Sequence, residues 1–414
     1  MATDSWAPQI NGVSVVTARM VHGLTERGWN VHVLAPKPAE ASPDALAEAA
    51  GSLDVTWIDS LSLPGYADVR VAWPRWRTLR SVFDRFSPHL VHCATEFIIG
   101  RMARIEAGRR TLPYTSSYHT DFARYTASYG IGWLKRPVTQ WLTHCHQHAA
   151  LTLTPSNSAR DELLSRGLER VSVWGRGIDT DCFHPKQRTR KKHDLARGTT
   201  PFTFLYVGRL APEKNVPVLL EAFAALQTAR PDIPMQLYIV GDGPMAESLR
   251  SSSAPNVRWL GACSRERELP ALYANADAFV YASTTETLGL VVLEAMASGT
   301  PVIAVPAGGV AEHLHHEVNG LAYAAGDAVA LALQMERLVD DQALRVRLSC
   351  GARRHAEQFG ERQELHRLDQ MLREHTAVPP THSPPIRTRK TDARTPRPRR
   401  DGLRRTDVPV GQSR

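Results

Sequence analysis

A chain of 414 residues with 43% hydrophobic residues can build two domains with separate cores, and no apolar run reaches the roughly 18–20 residues of a membrane span. The net charge of +8 is a property of one end: Pro379–Arg414 holds ten Lys/Arg against three Asp, which leaves the rest of the chain near +1. The five cysteines (Cys93, Cys145, Cys182, Cys263 and Cys350) are scattered without a CxxC, which argues against a structural zinc site and fits a reducing compartment. With no secretory signal at the start, the expected location is the cytoplasm.

The N-terminal part alternates short strands and helices. Asn30–Ala35, Asp54–Asp59, His89–Ala94, Leu112–Ser117 and Ala150–Thr154 read as strands, and Val15–Arg27, Arg77–Phe86, Phe97–Arg110, Lys135–His148 and Asn157–Arg166 as helices. Alternation at this spacing predicts βαβ units on a parallel sheet. The start, MATDSWAPQINGV, leaves only Met-Ala where a first strand belongs. The expectation is an upstream start or a sheet lacking its central strand, with the first preferred because that strand is normally buried.

The alternation breaks between His184 and Pro201, where PKQRTRKKHDLARGTT is polar and basic and reads as a linker. It resumes with strands at Phe202–Val207, Met235–Val240, Val257–Leu260, Ala278–Tyr281, Val302–Val305 and Leu321–Tyr323. Helices are expected at Lys214–Ala229, Met245–Ser251, Arg265–Ala274, Leu288–Ser298 and Val329–Val339. The predicted architecture is α/β, two Rossmann-like, doubly wound domains facing across a cleft. It comprises a domain over residues 1–184, a linker over 185–200, a second domain over 201–358, a C-terminal helix over 359–378 that packs back toward the first domain, and a tail over 379–414. The tail, rich in Pro and Arg, is expected to be disordered. It suits nucleic acid or anionic lipid, but a tolerated extension is the preferred reading, and no specific nucleic-acid partner is expected.

In doubly wound sheets ligands bind beyond the carboxyl ends of the strands, so the cleft is the expected site. The most informative stretch is Thr284–Pro301 (TTETLGLVVLEAMASGTP), in which Glu286 lies in the turn before a buried helix and Glu294 about two turns into it. A loop entering a helix N-terminus offers free N–H groups to a phosphate, and two flanking carboxylates suit sugar hydroxyls. Taken alone, the spacing favours the ordinary reading of one solvated and one helix-surface glutamate.

GRLAPEKN (Gly208–Asn215), GDGP (Gly241–Pro244), PSNSARDEL (Pro155–Leu163), RGIDTDCFHP (Arg176–Pro185), VNGLAY (Val318–Tyr323) and the Glu286–Glu294 segment occur in the order seen in retaining glycosyltransferases of family 4. The chain resembles that family from about Thr3 to Gln358. PQINGV, SYHTDFARYTASYG and WGRGID are most similar to GDP-mannose-dependent α-mannosyltransferases that build glycolipids, and also to UDP-sugar-dependent sulfoquinovosyl synthases.

The resemblance implies the GT-B fold and a nucleotide-sugar donor, GDP-mannose or a UDP-sugar, with no metal or other cofactor. It implies that Arg209 and Lys214 meet the donor diphosphate, that Glu294 accepts from the ribose, and that Glu286 holds the transferred sugar. By the same carry-over, the N–H groups of Leu288, Gly289 and Leu290 face the phosphate or sugar, Gly12 gives a side-chain-free approach from the opposite domain, and Gly241 and Asp242 lie at the donor. The base is expected near Asp242–Pro244 and Asn256–Trp259. His119, just past a strand on the cleft side, is expected at the donor sugar, and Asp121 near the acceptor hydroxyl. The implied reaction is same-face substitution, in which the leaving phosphate takes the acceptor proton. An inactive nucleotide-sugar-binding relative is the non-enzyme alternative.

Three further clusters are read as ordinary. Asp179–Thr180–Asp181 has a DxD form but sits beside the linker. His144, Cys145, His146 and His148, and likewise His313, His315 and His316, read as helix-surface runs. Arg70–Phe86, with Trp73, Trp76 and Phe83 among arginines, reads either as a basic helix for an anionic membrane surface or as an ordinary helix with solvated arginines. A lipid acceptor, and with it peripheral membrane association, would explain the first; the sequence leaves the oligomeric state open.

Overall fold

The computed structural model describes residues 1–9, 12–39, 42–63, 66–119, 132–189, 200–251, 254 and 256–376, with the side chains of residues 63 and 66–69 also outside the description. Among the described residues no helix is long and apolar enough to cross a membrane.

Strands β1 (His32–Pro36) and β2 (Asp54–Ile58) pair in parallel, as do β5 (Val91–Cys93), β6 (Tyr114–Ser117), β7 (Leu151–Thr154) and β8 (Val171–Val173), after an antiparallel hairpin of β3 (Ser60–Leu63) and β4 (Tyr66–Ala72). The position between β1 and β5 is held by the first residues of the chain. Ala2 bridges Leu34 on one side and Cys93 on the other, both parallel. Leu34 N donates to Met1 O at 2.8 Å, Thr3 N to Leu34 O at 3.0 Å, and Ala2 N to His92 O at 2.8 Å. The expected gap in the sheet is therefore corrected. No full strand forms there, but three residues satisfy the inner edges of both neighbours.

The second sheet has the order β11 (Val257–Gly261), β10 (Met235–Val240), β9 (Phe202–Val207), β12 (Ala278–Tyr281), β13 (Val302–Ala304) and β14 (Gly320–Ala322), all parallel. Every residue of β9 is buried, as a central strand covered on both faces requires. The reversal of strand order falls between β9 and β12, and the ends of those two strands carry the loops described below.

The start of the Arg70–Phe86 stretch departs from expectation. Arg70–Ala72 is strand, not helix: Pro74 bars helix before it, and the helix runs Trp76–Phe86. Arg70 is absorbed by the hairpin, donating to Ser60 Oγ at 2.9 Å and Ser62 Oγ at 2.7 Å. The Trp76 helix buries Leu79, Val82 and Phe83 and leaves Arg77, Arg80 and Arg85 exposed.

The last described helix, Glu361–Thr376, lies on the first domain. Leu365, Leu368 and Leu372 pack with Val16, Met20, Leu24 and Trp174. Gly23 makes room for this: a Cβ there would stand 2.5 Å from a Leu365 methyl. Trp29 Nε1 donates to Asp369 Oδ1 at 2.6 Å.

Candidate active site

β9 ends at Val207 and releases a loop pinned from beneath. Tyr206 OH donates to Arg209 O at 3.1 Å. Arg209 itself is exposed. A 3-10 turn, Pro212–Lys214, brings the chain to Asn215, whose φ of +53° turns it into the Val216–Ala229 helix. Lys214 Nζ pairs with Glu286 Oε1. The same oxygen accepts from Tyr281 OH and Ser283 Oγ, each at 2.8 Å. Burial raises the pKa of Glu286, but the Lys214 cation and these hydrogen bonds outweigh it, so the carboxyl is held below its ordinary value and stays charged. The residue expected at the donor diphosphate and the residue expected at the transferred sugar thus meet each other.

The loop beyond Glu286 is shaped by glycine. Gly289 has φ of +80° and begins the helix Leu290–Ala297, so the helix starts later than its expected Leu288. A Cβ on Gly289 would lie 2.7 Å from a Val310 methyl. Leu288 is buried, and Val292 N already donates to Gly289 O at 2.9 Å, so the helical hydrogen bonds begin after the amides of Leu290 and Val291. From the other side Gly309 N donates to Glu286 O at 2.8 Å, and a Cβ at Gly309 would stand 2.5 Å from Leu288 Cα. The sequence reading missed this supporting Gly308–Gly309 turn, although the GG pair after a strand was a visible signal.

Glu294 is 2% exposed. Its Oε1 accepts from Arg265 Nε at 2.7 Å and its Oε2 from Tyr273 OH at 2.9 Å. Both oxygens therefore have protein partners, and Arg265 is a residue the sequence reading did not single out. In GDGP, Asp242 O accepts from Leu210 N at 2.9 Å and Asp242 Oδ1 from Gly243 N at 2.8 Å. A Cβ on Gly241 would come within 2.0 Å of Gly208 O, so this glycine is required by the contact between the two strand-end loops.

From the first domain, Gly12 is exposed at the start of the Gly12–Glu26 helix, with nothing within 4 Å of a Cβ built there. His119 follows β6 and is buried, and among the described residues its Nδ1 has no hydrogen-bond partner. Burial first, then Arg176, His92 and His146, push its pKa well below 6.5, so the ring is neutral. Its carbonyl accepts from Thr287 Oγ1 at 2.9 Å, which ties the end of β6 to the loop beside Glu286. Asp121 lies outside the described residues. Arg176, with φ of +61°, reaches Tyr118 O at 3.4 Å, and desolvation lowers its pKa to about 10.

The remaining clusters are explained by the fold. Asp179 Oδ1 accepts from the N–H groups of Asp181 and Cys182 at 3.1 and 2.9 Å, which makes it a turn residue. The surface reading of the histidine runs needs correction. His146 is buried, with Nδ1 2.8 Å from Ser116 Oγ and Nε2 3.3 Å from Glu96 Oε1. His313 is buried as well, with Nδ1 3.3 Å from His355 Nε2 and its ring edge-on to Phe359. Among the described residues no group of three or more His, Cys, Asp or Glu side chains could hold a metal ion.

Two parallel α/β domains, with strand-end loops carrying a Lys–Glu pair opposite a buried neutral histidine, define a GT-B glycosyltransferase. The families described as "Glycosyltransferase Family 4" and "Glycosyl transferases group 1" match residues 10–182 and 187–355. A GDP-mannose-dependent alpha-mannosyltransferase of Mycobacterium tuberculosis is 33% identical over 332 residues, 79% of this chain and 84% of that protein. One from Mycolicibacterium smegmatis is 36% identical over 312 residues, 75% of this chain and 80% of that protein. In fold, the UDP complex of Anabaena HepE aligns with a TM-score of 0.67 at 18% identity, over 90% of this chain and 98% of that one. The chain belongs to the family 4 glycosyltransferases.

Proposed function

We propose that this enzyme transfers mannose from GDP-mannose, with retention, to a hydroxyl of a lipid-linked acceptor. The observation that carries the reading is the Glu286–Leu290 loop, which gathers a cation, a carboxylate and the start of a buried helix on one side of His119. As the glycosidic bond breaks, the leaving diphosphate gains about one negative charge. Arg209, Lys214 and the amides at Gly289 and Leu290 are suited to receive it, and they favour the transition state over the ground state. Glu286, kept charged, accepts from sugar hydroxyls, and neutral His119 offers a ring nitrogen without adding charge. Glu294 takes the ribose, and Gly12 admits the diphosphate from the first domain. In the step itself the donor C1–O bond breaks, the acceptor oxygen bonds C1 on the same face, and its proton passes to the leaving phosphate oxygen. None of these roles needs a metal.

The relatives' names support mannose and GDP. A membrane acceptor is supported by the hairpin and the segment after it: Leu61 and Trp73 are 72% and 74% exposed, and exposed arginines lie on the Trp76 helix that follows. Large apolar side chains beside cations suit an anionic bilayer surface. The domain spans given above and a cytoplasmic, peripheral location belong to the same proposal.

Calorimetric titration with GDP and with UDP is the first test. Preference for GDP supports the proposal, and preference for UDP moves the donor to a UDP-sugar. Binding of neither by folded protein favours an inactive relative. Transfer to lipid extracts, with the product's anomeric configuration read by NMR, tests acceptor and retention. Cosedimentation with anionic vesicles, with and without Trp73→Ser, tests the surface.

A further inference from the structure

The helix Asn157–Ser165 begins inside PSNSARDEL, a motif to which the proposed chemistry gives no task. Its first amides need acceptors from outside the helix. Ser156 Oγ takes the Ala159 N–H at 3.2 Å. The preceding two go to a residue of the other domain. Ser158 N donates to Glu312 Oε1 at 2.7 Å, and Asn157 N to Glu312 Oε2 at 3.0 Å. Asn157 Nδ2 adds a third bond to Oε2 at 2.9 Å. A carboxylate that receives three N–H groups at the positive end of a helix is well placed electrostatically.

Glu312 is tied to the donor loop. Its short helical turn, Val310–His313, follows Gly308 and Gly309, and that pair is packed against the backbone of Glu286, Thr287 and Leu288. Contacts therefore run without a break from Asn157 and Ser158 through Glu312 and Gly309 to Glu286. The second crossing, from Thr287 Oγ1 to His119 O, joins the same loop to the first domain.

We infer that Glu312 is a positioning residue, a latch that holds the Glu286–Leu290 loop against the first domain through the start of the Asn157 helix. The inference rests on the glycosyl-transfer reading for its effect on rate. The latch lies in a partly open position, with Asn157 exposed. Contacts of this kind are weak, so the latch can open to admit donor and release product while leaving each domain intact.

The test compares wild type with Glu312→Ala and Asn157→Asp, the second of which sets a like charge against Glu312. Small-angle scattering of the unliganded protein should show a more open and more variable particle for both, with unchanged thermal unfolding. Turnover should fall about five- to tenfold, the range expected when a closed population loses a contact of this size. Calorimetric affinity for GDP alone should hold, a split that general destabilisation would not give. An unchanged scattering profile or an unchanged turnover in both variants overturns the latch. Failure of the wild type to bind either GDP or UDP would overturn the donor reading instead, and the scattering comparison would still decide the latch.

Discussion

Lys214 and Glu286, 72 residues apart, form an ion pair in the candidate site. Each neutralises the other while no donor is present. A diphosphate arriving beside Lys214 would add negative charge, and a sugar presenting hydroxyls to Glu286 would offer the carboxylate replacement donors, so one ligand could divide the pair between its diphosphate and its sugar.

Removing only the cation should expose that dependence. Lys214→Met leaves the Glu286 charge with Tyr281 and Ser283 alone, and loss of one member of a buried pair costs about 3 kcal/mol. A lowered urea midpoint is expected, with partial recovery in Lys214→Met/Glu286→Gln. Equal midpoints for the single and double variants would mean that the pair contributes little to folding.

Arg209 should behave differently because it is exposed. Arg209→Ala should leave thermal unfolding unchanged and cut turnover at least about a hundredfold, if its interaction with the leaving group is worth ~3 kcal/mol. A loss of only a few-fold would assign the phosphate charge to Lys214 and the helix start.

Glu294 should affect both stability and ligand. Glu294→Ala strands the Arg265 guanidinium, which otherwise lies 2.5 Å from Oε1 and 5.1 Å from the centre of the Phe183 ring. Destabilisation by about 3 kcal/mol is expected. Glu294→Gln keeps an acceptor for Tyr273 and supplies the more discriminating measurement. GDP affinity equal to wild type in that folded variant would remove Glu294 from the ribose role.

Acid should unfold the protein earlier than its carboxylates alone would require. Burial, chiefly, pulls His92 and His313 to about 3 and His119 well below 6.5. In the unfolded chain these rings titrate near 6.5. As pH falls from 6.5 toward 3, the unfolded chain takes up protons that the folded chain refuses, so stability drops by up to about 1.4 kcal/mol per pH unit for each ring. Urea midpoints at pH 7.5 and 5.5 should differ accordingly, and less so in His92→Gln. A flat profile would mean that these rings gain protons in place.

Local patterns carried much of this architecture. The β9–helix–β10 order and the glycines of GDGP and TLGL could be read because strand alternation, turn residues and helix stops act over a few positions. The partners of the site were not local. Nothing near Glu294 announces Arg265, 29 residues earlier, and nothing near Asn157 announces Glu312, 155 residues later. The Arg70–Phe86 stretch was misread because its arginines suggested one amphipathic helix, although Pro74 marked the break. His146 could have been placed from its helix, since the face it shares with Leu142 and Cys145, away from His144 and His148, is the buried one.

The return of the chain to the first domain has a mechanical consequence. Where it leaves the second domain, Gly360 bridges Ile178 on the outgoing segment, with Ile178 N donating to Phe359 O at 2.8 Å and Glu361 N to Ile178 O at 3.0 Å. Gly177, at φ +68°, lets Glu361 approach to 2.5 Å from where a Cβ would be. The two connections between the domains are thus joined side by side, running parallel, at one point. Such a joint bends about a single axis more easily than it shears or twists, so every opening of the cleft would return the two halves to the same alignment.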